Sequence, residues 1–102
     1  MADTSEQLLI QDGAYAVPRA FFAYPSQPYA QAETVKEAAA KINGTRVVSL
    51  RTWEDMSVAG KNVMAEICRE INEAEIFCAD ITGLNPNVMF ELGYAIARDK
   101  RI

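Results

Sequence analysis

Glu91 is the one charged residue in the run Val88-Met89-Phe90-Glu91-Leu92-Gly93-Tyr94-Ala95-Ile96-Ala97, and no residue of the chain is better placed to do chemistry. It lies in the second turn after Asn85-Pro86, where Asn85 is placed to cap a helix and Pro86 to take its first position, which needs no amide hydrogen. A helix this apolar all round is expected to be mostly buried. The positive end of the helix dipole favours an ionised carboxylate there, and partial burial strengthens its attraction for a developing cation. This suits an oxocarbenium-like transition state, as in glycosidic cleavage, with the carboxylate as nucleophile or electrostatic stabiliser. The competing reading makes Glu91 a solvated charge or an ion-pair partner of Arg98 or another base. Gly93, which costs about 1 kcal/mol in mid-helix against Ala, marks either close approach of a backbone or ligand, or tight packing of helix on sheet.

Composition narrows the remaining chemistry. The chain has 102 residues, half of them hydrophobic, with five Gly and four Pro, which is the composition of one globular domain. It contains no His, so Ser-His-Asp and Cys-His triads, H-E-x-x-H zinc sites and an imidazole base are excluded within it. Cys68 and Cys78 lack C-x-x-C spacing and sit in apolar runs, as buried reduced thiols of a cytoplasmic protein would; no metal site is expected. Ten basic residues against fourteen acidic ones give a net charge of −4 with no basic run, which argues against nucleic acid as a partner. No apolar stretch is long enough to span a membrane, and the N-terminus does not read as a signal peptide. Neither G-x-G-x-x-G nor a P-loop is present.

The elements that must position Glu91 follow from hydrophobic spacing. Residues 1–18, with the apolar knot Leu8-Leu9-Ile10, read as a leader, a tail or a short docking helix, and residues 19–102 as the domain proper. The short continuous apolar run at 20–24 reads as a strand buried on both faces, and 46–50 and 76–79 read as strands two and three. The spacing of Val35, Ala38, Ala39 and Ile42 predicts a helix over 30–42, stopped by Asn43-Gly44; its Glu33, Lys36, Glu37 and Lys41 face is solvated. Met64, Ile67, Ile71 and Ala74 predict a second helix over 60–74, with Lys61, Glu66, Arg69, Glu70 and Glu73 off the stripe. A third helix runs from Pro86 to about Arg98, and Arg101-Ile102 starts a fourth strand. Strand-helix alternation predicts a three-layer α/β fold, a parallel sheet with helices on both faces and right-handed crossovers, truncated after the start of that fourth strand.

Ligands of open parallel sheets bind beyond the carboxyl ends of the strands, where strand order reverses. With order 2-1-3-4, the loops after strands one and three face each other, bringing Tyr24, Ser26, Asp80, Thr82, Asn85, Asn87 and Glu91 together. Tyr24 and Ser26 are placed to contact ribose or phosphate, although an aromatic at a strand end is often only a core edge. Trp53 is able to stack on a base, or to anchor the core. Asp80 reads either as a ligand of sugar hydroxyls or as the cap of its own loop, orienting Thr82. Asn85 is mainly a helix cap, and Asn87 is placed to point into the crevice.

The stretch Cys78-Ala79-Asp80-Ile81-Thr82-Gly83-Leu84-Asn85-Pro86-Asn87-Val88-Met89-Phe90-Glu91-Leu92-Gly93-Tyr94-Ala95, preceded by Ile71-Asn72-Glu73-Ala74-Glu75, resembles the signature of the bacterial TIR-like and nucleoside 2-deoxyribosyltransferase-like superfamily. The looser match reaches back through Trp53 to Phe21-Phe22-Ala23-Tyr24-Pro25-Ser26, which is similar to the aromatic-Ser first strand of TIR domains; residues 1–18 lie outside it. The resemblance implies a flavodoxin- or TIR-like sheet, with Glu91 at the position of the catalytic carboxylate and Trp53 in the loop that gates the site. It implies an NAD glycohydrolase that cleaves the nicotinamide-ribose bond, often an antiphage effector, with NAD as substrate, no cofactor, and self-association completing the site. The alternatives it leaves are a nucleoside 2-deoxyribosyltransferase or nucleotide N-glycosidase, and a non-catalytic nucleotide-sensing or self-associating module. The Asn85-Pro86-Asn87-Val88 entry departs from the small, Gly-containing approach of the transferases and favours the TIR-like branch.

Overall fold

The computed structural model describes residues 17–56 and 63–102. Three parallel strands, β1 (Arg19–Ala23), β2 (Ser49–Arg51) and β3 (Ile76–Ala79), form a sheet of order β2-β1-β3. Ala20 pairs with Leu50 and Phe21 with Phe77 across the central strand. Arg101 makes one parallel bridge to Ile76, its carbonyl accepting from the Phe77 N–H at 2.7 Å, on the side of β3 away from β1.

The helices are α1 (Tyr29–Thr45), α2 (Val63–Glu73) and α3 (Pro86–Ala97). Phe21, Ala23 and Phe77 pack on one side of the sheet against Ile67, Ile71, Val88 and Ala95 of α2 and α3. Ala20 and Leu50 pack on the other against Ala39 of α1. A strand order that reverses at β1 requires this division if both crossovers are right-handed. Phe21, Ile71, Phe77 and Val88 are fully buried, and each contributes about 1.5–3 kcal/mol from apolar surface removed from water.

Several boundaries differ from the sequence reading. Helix α1 runs through Asn43-Gly44 and stops at Arg46, which takes the left-handed conformation (φ 61°). Asn43 does not end the helix because its side chain is engaged by the neighbouring strand. Its Nδ2 donates to the Leu50 carbonyl (2.9 Å), and its Oδ1 accepts from the Leu50 N–H (2.6 Å). The buried residues of α1 are Ala32 and Ala39; Val35 is half-buried, while Ala38 and Ile42 are exposed, since α1 touches the sheet along a narrow line. Strand β2 is shorter and later than 46–50, and Val47 is 72% exposed because Arg46 and Val47 belong to the turn leaving α1.

In α2, Ile67, Ile71 and the following Ala74 are buried as expected, but Met64 is exposed. The predicted start of this helix, at residues 60–62, lies outside the described residues, as do residues 1–16 of the expected leader. Glu70, read as off the stripe, is only 6% exposed; Arg51 reaches it with Nε (3.3 Å) and Nη2 (3.1 Å), one to each carboxylate oxygen. Helix α3 is not buried all round: Met89, Phe90, Gly93 and Ile96 face outward, because one face suffices to cover the sheet. Gly93 meets neither a backbone nor the sheet, and a Cβ there would find nothing within 4 Å. Both cysteines are free and half-buried, not fully buried. No helix among the described residues is long and apolar enough to cross a membrane.

Candidate functional site

Beyond the carboxyl ends of β1 and β3 lies a cavity of about 250 Å3. Its polar lining comes from Tyr24 and Ser26 after β1, Trp53 after β2, and Asn85, Asn87 and Glu91 at the start of α3. Val63, Met64 and Ile67 of α2 and Val88 of α3 add an apolar wall.

Local chemistry fixes the entry of α3. The Asn85 side-chain oxygen accepts from the N–H groups of Asn87 (2.9 Å) and Val88 (3.2 Å), and Pro86 follows at the first helical position. At its far end Tyr94 accepts from Asn72 Nδ2 (2.7 Å), and Arg98 Nε donates to Asn72 Oδ1 (2.8 Å). Lys100 donates to the carbonyls of Asn72 and Ala74, closing the exit of α2. Helix α3 is thus held at both ends, and Glu91 is held between them.

Glu91 is 7% exposed, and no hydrogen bond or ion pair reaches its carboxylate among the described residues. Arg98, the partner expected of a paired Glu91, is engaged by Asn72. Burial pushes the Glu91 carboxyl up to about 7, against the pull of the helix dipole toward the ionised form. The half-buried Cys68 thiol is pushed up by burial and also by the charge of Glu91.

Tyr24 is 3% exposed, and its hydroxyl donates to Glu54 Oε2 at 3.0 Å. Burial pushes this phenol up to about 12, so it remains a donor at neutral pH. Trp53 opens a 3-10 turn over Trp53–Asp55, capped by Thr52, whose hydroxyl accepts from Glu54 N–H while Asp55 accepts from Thr52 N–H. The Tyr24 and Trp53 rings lie 5.7 Å apart at 45°.

Tyr24, Ser26, Trp53, Asn87 and Glu91 therefore meet at one cavity, while Asp80 and Thr82 do not line it. Asp80 Oδ1 instead accepts from the Thr82 N–H (3.0 Å), closing the turn that leads to α3, as a short acidic side chain two residues before a loop amide readily does. Sequence reasoning missed Glu54, whose place in a charged loop carried no sign of its bond to Tyr24. It also assigned Met64 and Ile67 to the core by their stripe alone, which does not distinguish a core wall from a cavity wall. Among the described residues, no group of three or more His, Cys, Asp or Glu gathers as a metal site. Comparisons with protein-family models, with curated proteins and with solved structures found no match.

Proposed function

We propose that the protein is a TIR-like NAD glycohydrolase in which Glu91 stabilises, or briefly bonds to, the ribosyl cation left when nicotinamide departs. The observation that carries this reading is the buried Glu91 carboxylate, unpaired among the described residues, at the wall of a cavity that Tyr24 and Trp53 line with aromatic rings. Among the described residues no cation pairs with its ionised form, so a cation developing on a ligand is the favoured partner. The aromatic wall suits a flat pyridinium. Among the described residues, the remaining polar lining, Tyr24, Ser26, Asn85 and Asn87, offers no second carboxyl group to protonate a leaving base. Nicotinamide leaves neutral from a pyridinium without needing one, which favours NAD over the deoxynucleosides of a 2-deoxyribosyltransferase.

Self-association and a cytoplasmic antiphage role belong to the same reading and rest on the resemblance of residues 78–95. The deciding experiment compares nicotinamide release from NAD by wild type and Glu91→Ala. Release is expected to fall by at least about a hundredfold, the scale of losing a principal transition-state group. Equal release by both proteins removes Glu91 from the mechanism. Base exchange on deoxynucleosides with NAD untouched establishes the transferase, and calorimetric binding of NAD without turnover establishes the non-catalytic module.

A further inference from the structure

A second, larger cavity of about 610 Å3 lies against the first, between α1 and the turn after β2. Trp53 lines both cavities, Tyr24 only the smaller and Glu54 only the larger, so the Tyr24–Glu54 hydrogen bond runs through the partition between them. That partition is placed by its continuity with β2, by Met56 packed against the core and by the Tyr24 side chain. The hydrogen bonds of the 3-10 turn over Thr52, Asp55 and Met56 are local and hold its shape, not its place. The side-chain tie between the turn and the end of β1 runs through the Tyr24 hydroxyl, which donates to Glu54 Oε2 and has the Thr52 side chain beside it. Tyr24 is itself fixed by burial and by the edge of Phe22 (5.7 Å, 71°), and its other side meets Trp53. Phe22, Tyr24 and Trp53 form an aromatic row whose outer ring is placed by the middle one.

We propose that Glu54 is a positioning residue for the Glu91 site: by accepting the Tyr24 hydroxyl it holds the turn against β1 and sets the Trp53 indole as the wall on which a flat cationic ring of the ligand lies. The ligand half of this proposal rests on the pyridinium reading above; the placement of Trp53 does not.

Trp53 is the chain's single tryptophan, so intrinsic tryptophan fluorescence reports on it alone. The full chain is compared as wild type, Glu54→Ala, Glu54→Gln, Tyr24→Phe and the Glu54→Ala/Tyr24→Phe double variant, with urea unfolding to confirm that each is folded. Glu54→Ala and Tyr24→Phe are expected to shift the emission to the red and raise acrylamide quenching, and the double variant to go no further than either. Glu54→Gln retains an oxygen acceptor and is expected to stay near wild type. With nicotinamide riboside as the probe, binding should weaken about fivefold in Glu54→Ala and Tyr24→Phe, the scale of one net hydrogen bond. With NAD the same two variants should raise KM more than they lower kcat.

Unchanged quenching in folded Tyr24→Phe overturns the proposal even if Glu54→Ala fails to fold, and so does a Glu54→Gln protein as altered as Glu54→Ala. If the quenching pattern appears while neither wild type nor variants bind nicotinamide riboside, the pyridinium ligand is wrong and the placement of Trp53 by Glu54 stands.

Discussion

At Glu91 two electrostatic effects oppose each other, and their sizes decide the protonation state. A helix dipole contributes about 0.3–1 kcal/mol toward the charged form. Burial raises the carboxyl from 4.5 to about 7, which corresponds to about 3 kcal/mol toward the neutral form. Two pH dependences follow. The ionised carboxylate is the form that attracts a ribosyl cation, so kcat/KM for nicotinamide release should rise with pH, with a midpoint near 7. Stability should move the other way. Below the unfolded value near 4.5 both states hold the proton and nothing is lost. Between there and about 7 the unfolded chain ionises first, and above 7 the loss is complete. Glu91→Gln, which has nearly the shape of the protonated acid, is therefore expected to be more stable than wild type at pH 8, by roughly 2–4 kcal/mol. At pH 4 it should be nearly equal, and urea midpoints at the two pH values check this.

Helix α3 carries that carboxylate because its first turn is closed by Asn85. Asn85→Ala is expected to cost about 1 kcal/mol in urea unfolding, whereas Asn85→Asp, which keeps the acceptor, should cost less than half of that. This cap was legible in the sequence because Asn-Pro before an apolar run is a local signal, needing no knowledge of the rest of the fold. So were β3 and the buried Ile67, Ile71 and Ala74, where period and turn residues agree. What failed depended on partners distant in sequence. Nothing local to Asn43 says that Leu50 will engage its side chain, so Asn43-Gly44 reads as a stop. Glu70 reads as surface until Arg51 is known to sit opposite it. Asp80 is the converse case: the sequence offered both a sugar ligand and a loop cap, and the local partner, the Thr82 amide, is the one the structure shows. The cavity was legible as a meeting of loops, whereas the hydrogen bond through its wall, from Tyr24 to Glu54, was not.

Across the whole molecule, the three-stranded parallel sheet has two ends of different character. Beside β3 stands Arg101, bonded through its carbonyl. Beside β2 stands no strand among the described residues; the backbone donor and acceptor of Leu50 that point away from β1 are both taken by one side chain, that of Asn43. An open strand edge is a growth point, to which a further extended chain adds by the same hydrogen bonds that join β2 to β1. The Asn43 amide matches that pattern of one donor and one acceptor and so acts as a chain stopper for sheet polymerisation. Removing it should expose the growing end: Asn43→Ala is expected to scatter more light and bind more thioflavin on prolonged incubation at high concentration, while Asn43→Gln, whose amide is the same but displaced by one methylene, should fall between it and wild type.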